Sequence, residues 1–119
     1  WKKTLGEEWR HYEKTFPAIQ KSSIDIISLE CHNGRVPFEV LALLKGKKVM
    51  VGAIDVATPE IETAEDVAAT IREALKYVDA DKLYPCTNCG MAPLSRDVAR
   101  GKLAALAAGA DIVREELSA

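Results

Sequence analysis

The stretch KKVMVGAIDVATPEIETAEDVAATIREALKYVDADKLYPCTNCG, residues 47–90, decides how this chain folds. It opens on KKVMVGAID, whose centre is apolar without polar alternation, the pattern of a strand in a parallel sheet covered on both faces. Thr63 then offers an N-cap oxygen, and Glu65 and Asp66 place negative charge in the first turn of a helix. Val67, Ile71, Leu75 and Val78 recur at i, i+4, i+8 and i+11, one stripe of that helix. DKLYPCTNCG supplies a third-strand pattern with its exit loop. Strand, helix and strand in this order imply a right-handed crossover between parallel strands.

The same alternation continues outward. IDIISLE, residues 24–30, is rich in β-branched residues and reads as a strand preceding the first. Between the two, VPFEVLALLKG reads as a helix with Pro37 at its first position, Gly46 just past its end, and Phe38, Leu41 and Leu44 on one face. At the front, EEWRHYEKTFPAIQKS has helical composition, and Pro17 is expected to open the regular helix. At the back, Ser95 is expected to cap a last helix that buries Leu103, Leu106, Ala110, Val113 and Leu117. Gly101 sits inside that helix at a cost of about 1 kcal/mol relative to alanine, which close packing on a strand would explain.

The order α-β-α-β-α-β-α with three parallel strands leaves two apolar sheet edges, which proteins avoid exposing. A half-domain of the dinucleotide-binding type is an alternative, but no strand exit carries G-x-G-x-x-G. The reading adopted is α/β, with parallel βαβ units forming the last three strands of a (β/α)8 barrel that is incomplete as given. Residues 1–119 are then the C-terminal portion of one catalytic domain.

Composition narrows the function. At 119 residues the chain holds one small domain, and its net charge of −2 is spread along the sequence. That leaves no basic footprint for nucleic acid. No apolar run approaches the roughly 20 residues that span a bilayer, and the first residues, WKKTLGEEWRHYEK, lack a signal-peptide centre. No nucleic-acid or membrane partner is therefore expected. Three cysteines cannot all pair within one chain, so reduced thiols and a cytoplasmic setting are expected. The start without methionine, in polar helical sequence, fits processing or a fragment.

Strand exits carry the chemistry in sheets of this kind. Here they present Glu30, Cys31 and His32, then Asp55, then Cys86, Asn88 and Cys89. Carboxylate, imidazole and thiols on one rim suit zinc. Each has a plainer reading: Glu30 as a capping or ion-paired residue, Asp55 as a turn hydrogen-bonder, Cys31 as a small buried apolar group, His32 as a solvated loop residue. C-x-x-C is weak by itself. Pro93 and Ser95 start the following helix too late to lower a thiol pKa, and a structural knuckle lacks a second ligand pair.

Taken together, IDIISLE, KVMVGAIDVATPEIET and DKLYPCTNCG resemble, in order and spacing, the last strands of the catalytic barrel of cobalamin-independent methionine synthase. The resemblance runs from about Phe16 to Leu117, and is nearest to short members made of the catalytic barrel alone. It implies methyl transfer from a folate to homocysteine, whose thiol is activated on a zinc ion held by a His, two Cys and a Glu. Glu30 matches the zinc glutamate and Cys89, in Asn-Cys-Gly, the last zinc cysteine. Two anionic cysteines and a glutamate bring three negative charges to a dication, which keeps the bound thiolate nucleophilic. The family's His-x-Cys motif stands on the preceding strand and has no counterpart here, since neither His11 nor His32 matches it. That departure points to a carboxy-terminal fragment. The family's Asp-(Ile/Val)-His-Ser-Pro appears as DVATP, with Ala57 in place of the proton-donating His. Asp55 keeps its position, so a role in orienting a ligand or neighbouring side chain is implied for it. The methyl donor is then 5-methyl-tetrahydrofolate or another methyl carrier such as a corrinoid. Cys86 matches no primary ligand. The remaining barrel, or another copy of the chain, is the expected cover for the sheet edges. Two readings stand beside this one: another thiol methyltransferase or decarboxylase of the same barrel type, and a C-x-x-C redox or structural metal module.

Overall fold

The computed structural model describes residues 12–34 and 36–119; the front of the first helical stretch, His11 included, and Arg35 lie outside the described residues. β1 (Ile26–Glu30), β2 (Lys48–Ile54) and β3 (Leu83–Thr87) form one sheet in the order β1-β2-β3. Both pairings are parallel, and Glu30, Gly52 and Cys86 stand opposite one another across the three strands. All three strands therefore end at one edge, as expected for an arc of a parallel α/β barrel.

α2 (Ala64–Leu75) crosses from β2 to β3, and α3 (Arg96–Ser118) packs beside it. The Thr63 hydroxyl accepts from the Asp66 N–H at 3.1 Å, and Asp66 Oδ2 accepts from the Thr63 N–H at 2.9 Å. This reciprocal pair closes the capping box, worth about 1 kcal/mol. Ser95 caps α3 by accepting from the Val98 N–H. Val67 and Ile71 bury their side chains against the sheet as their spacing required.

Four expectations change. α1 (Tyr12–Lys21) contains Pro17 instead of starting at it. Pro17 has no N–H to continue the helical ladder, but the Tyr12 and Phe16 rings, 5.0 Å apart, brace the turn ahead of it, and Phe16 is buried. The segment Phe38–Leu44 is a 3-10 helix, not an α-helix. Its i, i+3 apolar spacing is the one that a three-residue turn brings to a single face, and Leu41 and Leu44 are buried there. Gly46 ends it with φ +84°. On α3 the buried face is Lys102, Gly109, Ala110 and Val113, whereas Leu103 (48%) and Leu117 (60%) are exposed. Gly101 packs against the Ile61 side chain of the loop after β2, not against a strand.

Among the described residues, helices cover β2 on one face only. Val49 and Val51 join Phe16, Leu41 and Val78 in one cluster, and Ala53 and Ile54 join Val67, Ile71 and Ala110 in another. A register shift between Gly52 and Ile54 turns both Ala53 and Ile54 to the helix side. On the opposite face Ile26 (49%), Met50 (37%) and Tyr84 (42%) are open to solvent. Among the described residues no helix is long and apolar enough to cross a membrane.

Candidate functional site

The strand exits are tied together by the backbone. The Gly52 carbonyl accepts from the Cys31 N–H at 3.2 Å and the His32 N–H at 2.7 Å, joining the β1 exit to β2. The Asn88 N–H donates to the Ile54 carbonyl at 2.9 Å, joining the β3 exit to the same strand. The Asn88 side chain closes the set: its Nδ2 donates to the His32 carbonyl at 2.8 Å.

On this rim Glu30 and Cys89 are both exposed, Glu30 as the last residue of β1 and Cys89 two residues past β3. Cys86 is half-buried, on the row of Glu30 and Gly52. Burial pushes its thiol up, opposed by a hydrogen bond with Ser28. Cys31 points into the core beside Leu29 and Val36, the plainer of its two readings. Burial, with the nearby Cys86 adding to it, pushes its thiol up to about 12. His32 is not a solvated loop residue: it is half-buried, with Nδ1 3.1 Å from Thr70 Oγ1.

Asp55 is buried, and its Oδ1 accepts from the Ala57 N–H at 2.8 Å. It thus holds the turn that follows β2, while Asn33 Nδ2 lies 3.5 Å from its other oxygen. Among the described residues no three His, Cys, Asp or Glu side chains stand close enough to hold one ion. The wider set of Glu30, Cys31, His32, Asp55, Cys86 and Cys89 therefore does not converge, because the core, Thr70 and the turn have taken three of its members.

Two residues matter more than their sequence context suggests. Lys102 is wholly buried on α3; its Nζ reaches Glu62 Oε2 at 3.0 Å and donates to the Glu60 carbonyl. Glu62 Oε1 in turn accepts from the Asp55 N–H at 2.8 Å, so this buried ion pair anchors the loop carrying Asp55 and Ala57. Asn88 is the other: beyond its bond to His32, its Oδ1 is buried without a hydrogen-bond partner among the described residues. A lysine inside an otherwise ordinary helix gives no sequence signal of burial. The Asn of Asn-Cys-Gly stood at the exit without a role.

A carboxylate oxygen and a thiol sulfur leaving the same sheet edge, both open to solvent, are donors of the kinds zinc accepts. The residues fit the metal in type.

An arc of parallel α/β structure with its polar residues gathered at the carboxyl edge is the class of molecule these features define. The sequence model of the family described as "Cobalamin-independent synthase, Catalytic domain" matches residues 9–111, and the chain belongs to that family. A methionine synthase of Saccharolobus islandicus (strain Y.G.57.14 / Yellowstone #1) is 42% identical over 84 residues, covering 67% of this chain and 25% of its own length. One from Saccharolobus solfataricus is 34% identical over 112 residues, covering 89% of this chain and 32% of its own length. Among solved structures, a B12-independent methionine synthase from Shewanella sp. W3-18-1, in complex with selenomethionine, is 75% identical with a TM-score of 0.95. That match covers 98% of this chain and 34% of that one. The chain thus spans about a third or less of the proteins it matches.

Proposed function

We propose that the protein carrying this chain is a methyltransferase that methylates the thiol of homocysteine to give methionine, with a zinc ion held in part by Glu30 and Cys89. What supports this is the shared edge: both donors leave one side of a parallel sheet, in a chain that belongs to this family. One solved relative, the Shewanella protein, is a complex with selenomethionine, which has the form of the product.

Bound zinc supplies a Lewis acid at which a substrate thiol, with an ordinary pKa near 8.5, ionises at neutral pH. Glu30 and Cys89 would contribute one oxygen, one sulfur and two negative charges to such an ion, whose remaining ligands would come from groups outside this pair. The chain's own residues otherwise position. Asp55 fixes the turn ending in Ala57 and draws in the Asn33 amide, and the Glu62–Lys102 pair fixes Asp55 from behind. Ala57 has no proton to give, so the leaving group of the methyl donor is protonated elsewhere or needs no proton. A methylated corrinoid suits the second case, and 5-methyl-tetrahydrofolate requires the first. The open face bearing Ile26, Met50 and Tyr84 is the side on which the rest of the barrel, or another copy of the chain, lies. We place the protein in the cytoplasm on the strength of its three unpaired thiols.

The test is methionine formation by the complete protein with homocysteine and either methyl-folate or methylcobalamin. Turnover with at least one donor, lost in Cys89→Ser, is expected, and the isolated 119-residue chain should give none. Turnover undiminished in Cys89→Ser refutes the assignment.

A further inference from the structure

Asn88 holds a place that an amide fills at a cost. A buried acceptor left without a donor is destabilising, and among the described residues Asn88 Oδ1 has no donor. The other end of the amide explains why the fold keeps it. Nδ2 donates to the His32 carbonyl at 2.8 Å, across 56 residues of sequence. His32 is two residues from Glu30, and Asn88 is the neighbour of Cys89. The space for this crossing is made by Gly52. A Cβ there would strike Asn88 Oδ1 and come within 2.9 Å of both Asn88 Cα and the Leu29 carbonyl. Gly52 also stands between Glu30 and Cys86 in the strand register, so the amide lies over the middle strand with the two outer exits on either side. The Asn88 backbone N–H adds its bond to Ile54, and the Gly52 carbonyl takes the N–H groups of Cys31 and His32.

We propose that Asn88 is a positioning residue which, seated on Gly52, straps the β3 exit to the β1 exit and so sets the spacing of Cys89 from Glu30 for a shared metal ion. This rests on the metal reading of Glu30 and Cys89 above. It also states why the middle strand needs glycine at position 52: any side chain displaces the strap.

The experiment uses the complete protein and measures three quantities for wild type, Asn88→Ala, Asn88→Leu, Gly52→Ala and Cys89→Ser. They are zinc affinity by chelator competition, the visible absorption of the cobalt(II) form, and the melting temperature of the metal-free protein. Leucine keeps the branched shape of asparagine without its donor, so it separates packing from the strap. Groups that orient metal ligands typically change affinity by about 10–100-fold when removed. Asn88→Ala and Asn88→Leu should each weaken zinc by about 10-fold or more and alter the cobalt band while the metal-free melt holds. Gly52→Ala should show the same zinc and cobalt changes, with a lowered metal-free melt as well, because its Cβ also meets Asn88 Cα and the Leu29 carbonyl. Zinc affinity and cobalt spectrum equal to wild type in both Asn88 variants, with zinc lost in Cys89→Ser, would overturn the strap and leave the metal reading standing. Zinc retained in Cys89→Ser overturns the metal reading and the strap with it. A lowered metal-free melt with an unchanged cobalt spectrum makes Asn88 a stability residue only, and also overturns the proposal.

Discussion

Cys31, Cys86 and Cys89 meet a thiol reagent in three different surroundings: buried, half-buried and exposed. Only the thiolate reacts, and burial raises the Cys31 thiol to about 12, so near pH 8 it stays protonated as well as covered. In the metal-free folded chain, iodoacetamide followed by mass spectrometry should find Cys89 modified first, Cys86 more slowly and Cys31 only after denaturant. Modification of Cys31 at the rate of Cys89 contradicts the core placement. The sign for stability follows from the raised pKa. Burying Cys31 contributes below its ordinary value of 9.0 and loses that contribution as pH rises toward about 12. At this scale the sequence allowed two readings for most rim residues, and the structure chose between them by long-range partners. His32 finds Thr70, 38 residues away, and Asp55 finds the Glu62 carboxylate through its own N–H. Neither partner is visible to local patterning.

The elements divide by the same criterion. The box at Thr63 and Asp66 and the stripe beginning at Val67 were legible because capping and periodicity are local. The buried face of α3 agrees with the sequence pattern at Ala110 and Val113 but turns away from Leu103 and Leu117 to bring Lys102 to Glu62, 40 residues distant, and Gly109 to Val67. Each contact gives a prediction. A Cβ at Gly109 would lie 2.5 Å from Val67 Cβ and 2.6 Å from the Ala64 carbonyl. Gly109→Ala should therefore destabilise by about 1–3 kcal/mol through overpacking, although alanine is the better helix former. A higher melting temperature in this variant shows that the helices are not in close contact here. Lys102→Met leaves the Glu62 carboxylate buried without its cation, and loss of one partner of such a pair costs about 3–5 kcal/mol. Chemical denaturation of the complete protein measures it, and a loss below 1 kcal/mol contradicts the buried pair.

At the scale of the molecule, the parallel arc followed from the alternation of apolar runs and helical stripes, which needs no distant information. The open side of the sheet was legible only in part. KVMVGAI reads as buried on both faces, yet Met50 is open beside Ile26 and Tyr84. An inward-facing barrel surface is apolar whether or not its cover is present in the chain. The chain matches 34% of the Shewanella enzyme's length, and the proposed metal site takes only two donors from that share. The most direct measurement is the zinc content of the complete protein in wild type, Glu30→Gln, Cys86→Ser and Cys89→Ser. About one zinc per chain in wild type and Cys86→Ser, with marked loss in Glu30→Gln and Cys89→Ser, is the predicted result. Equal loss in Cys86→Ser and Cys89→Ser, with Glu30→Gln retaining its metal, would mean that a two-cysteine knuckle holds the ion, contrary to the shared carboxylate–thiolate site.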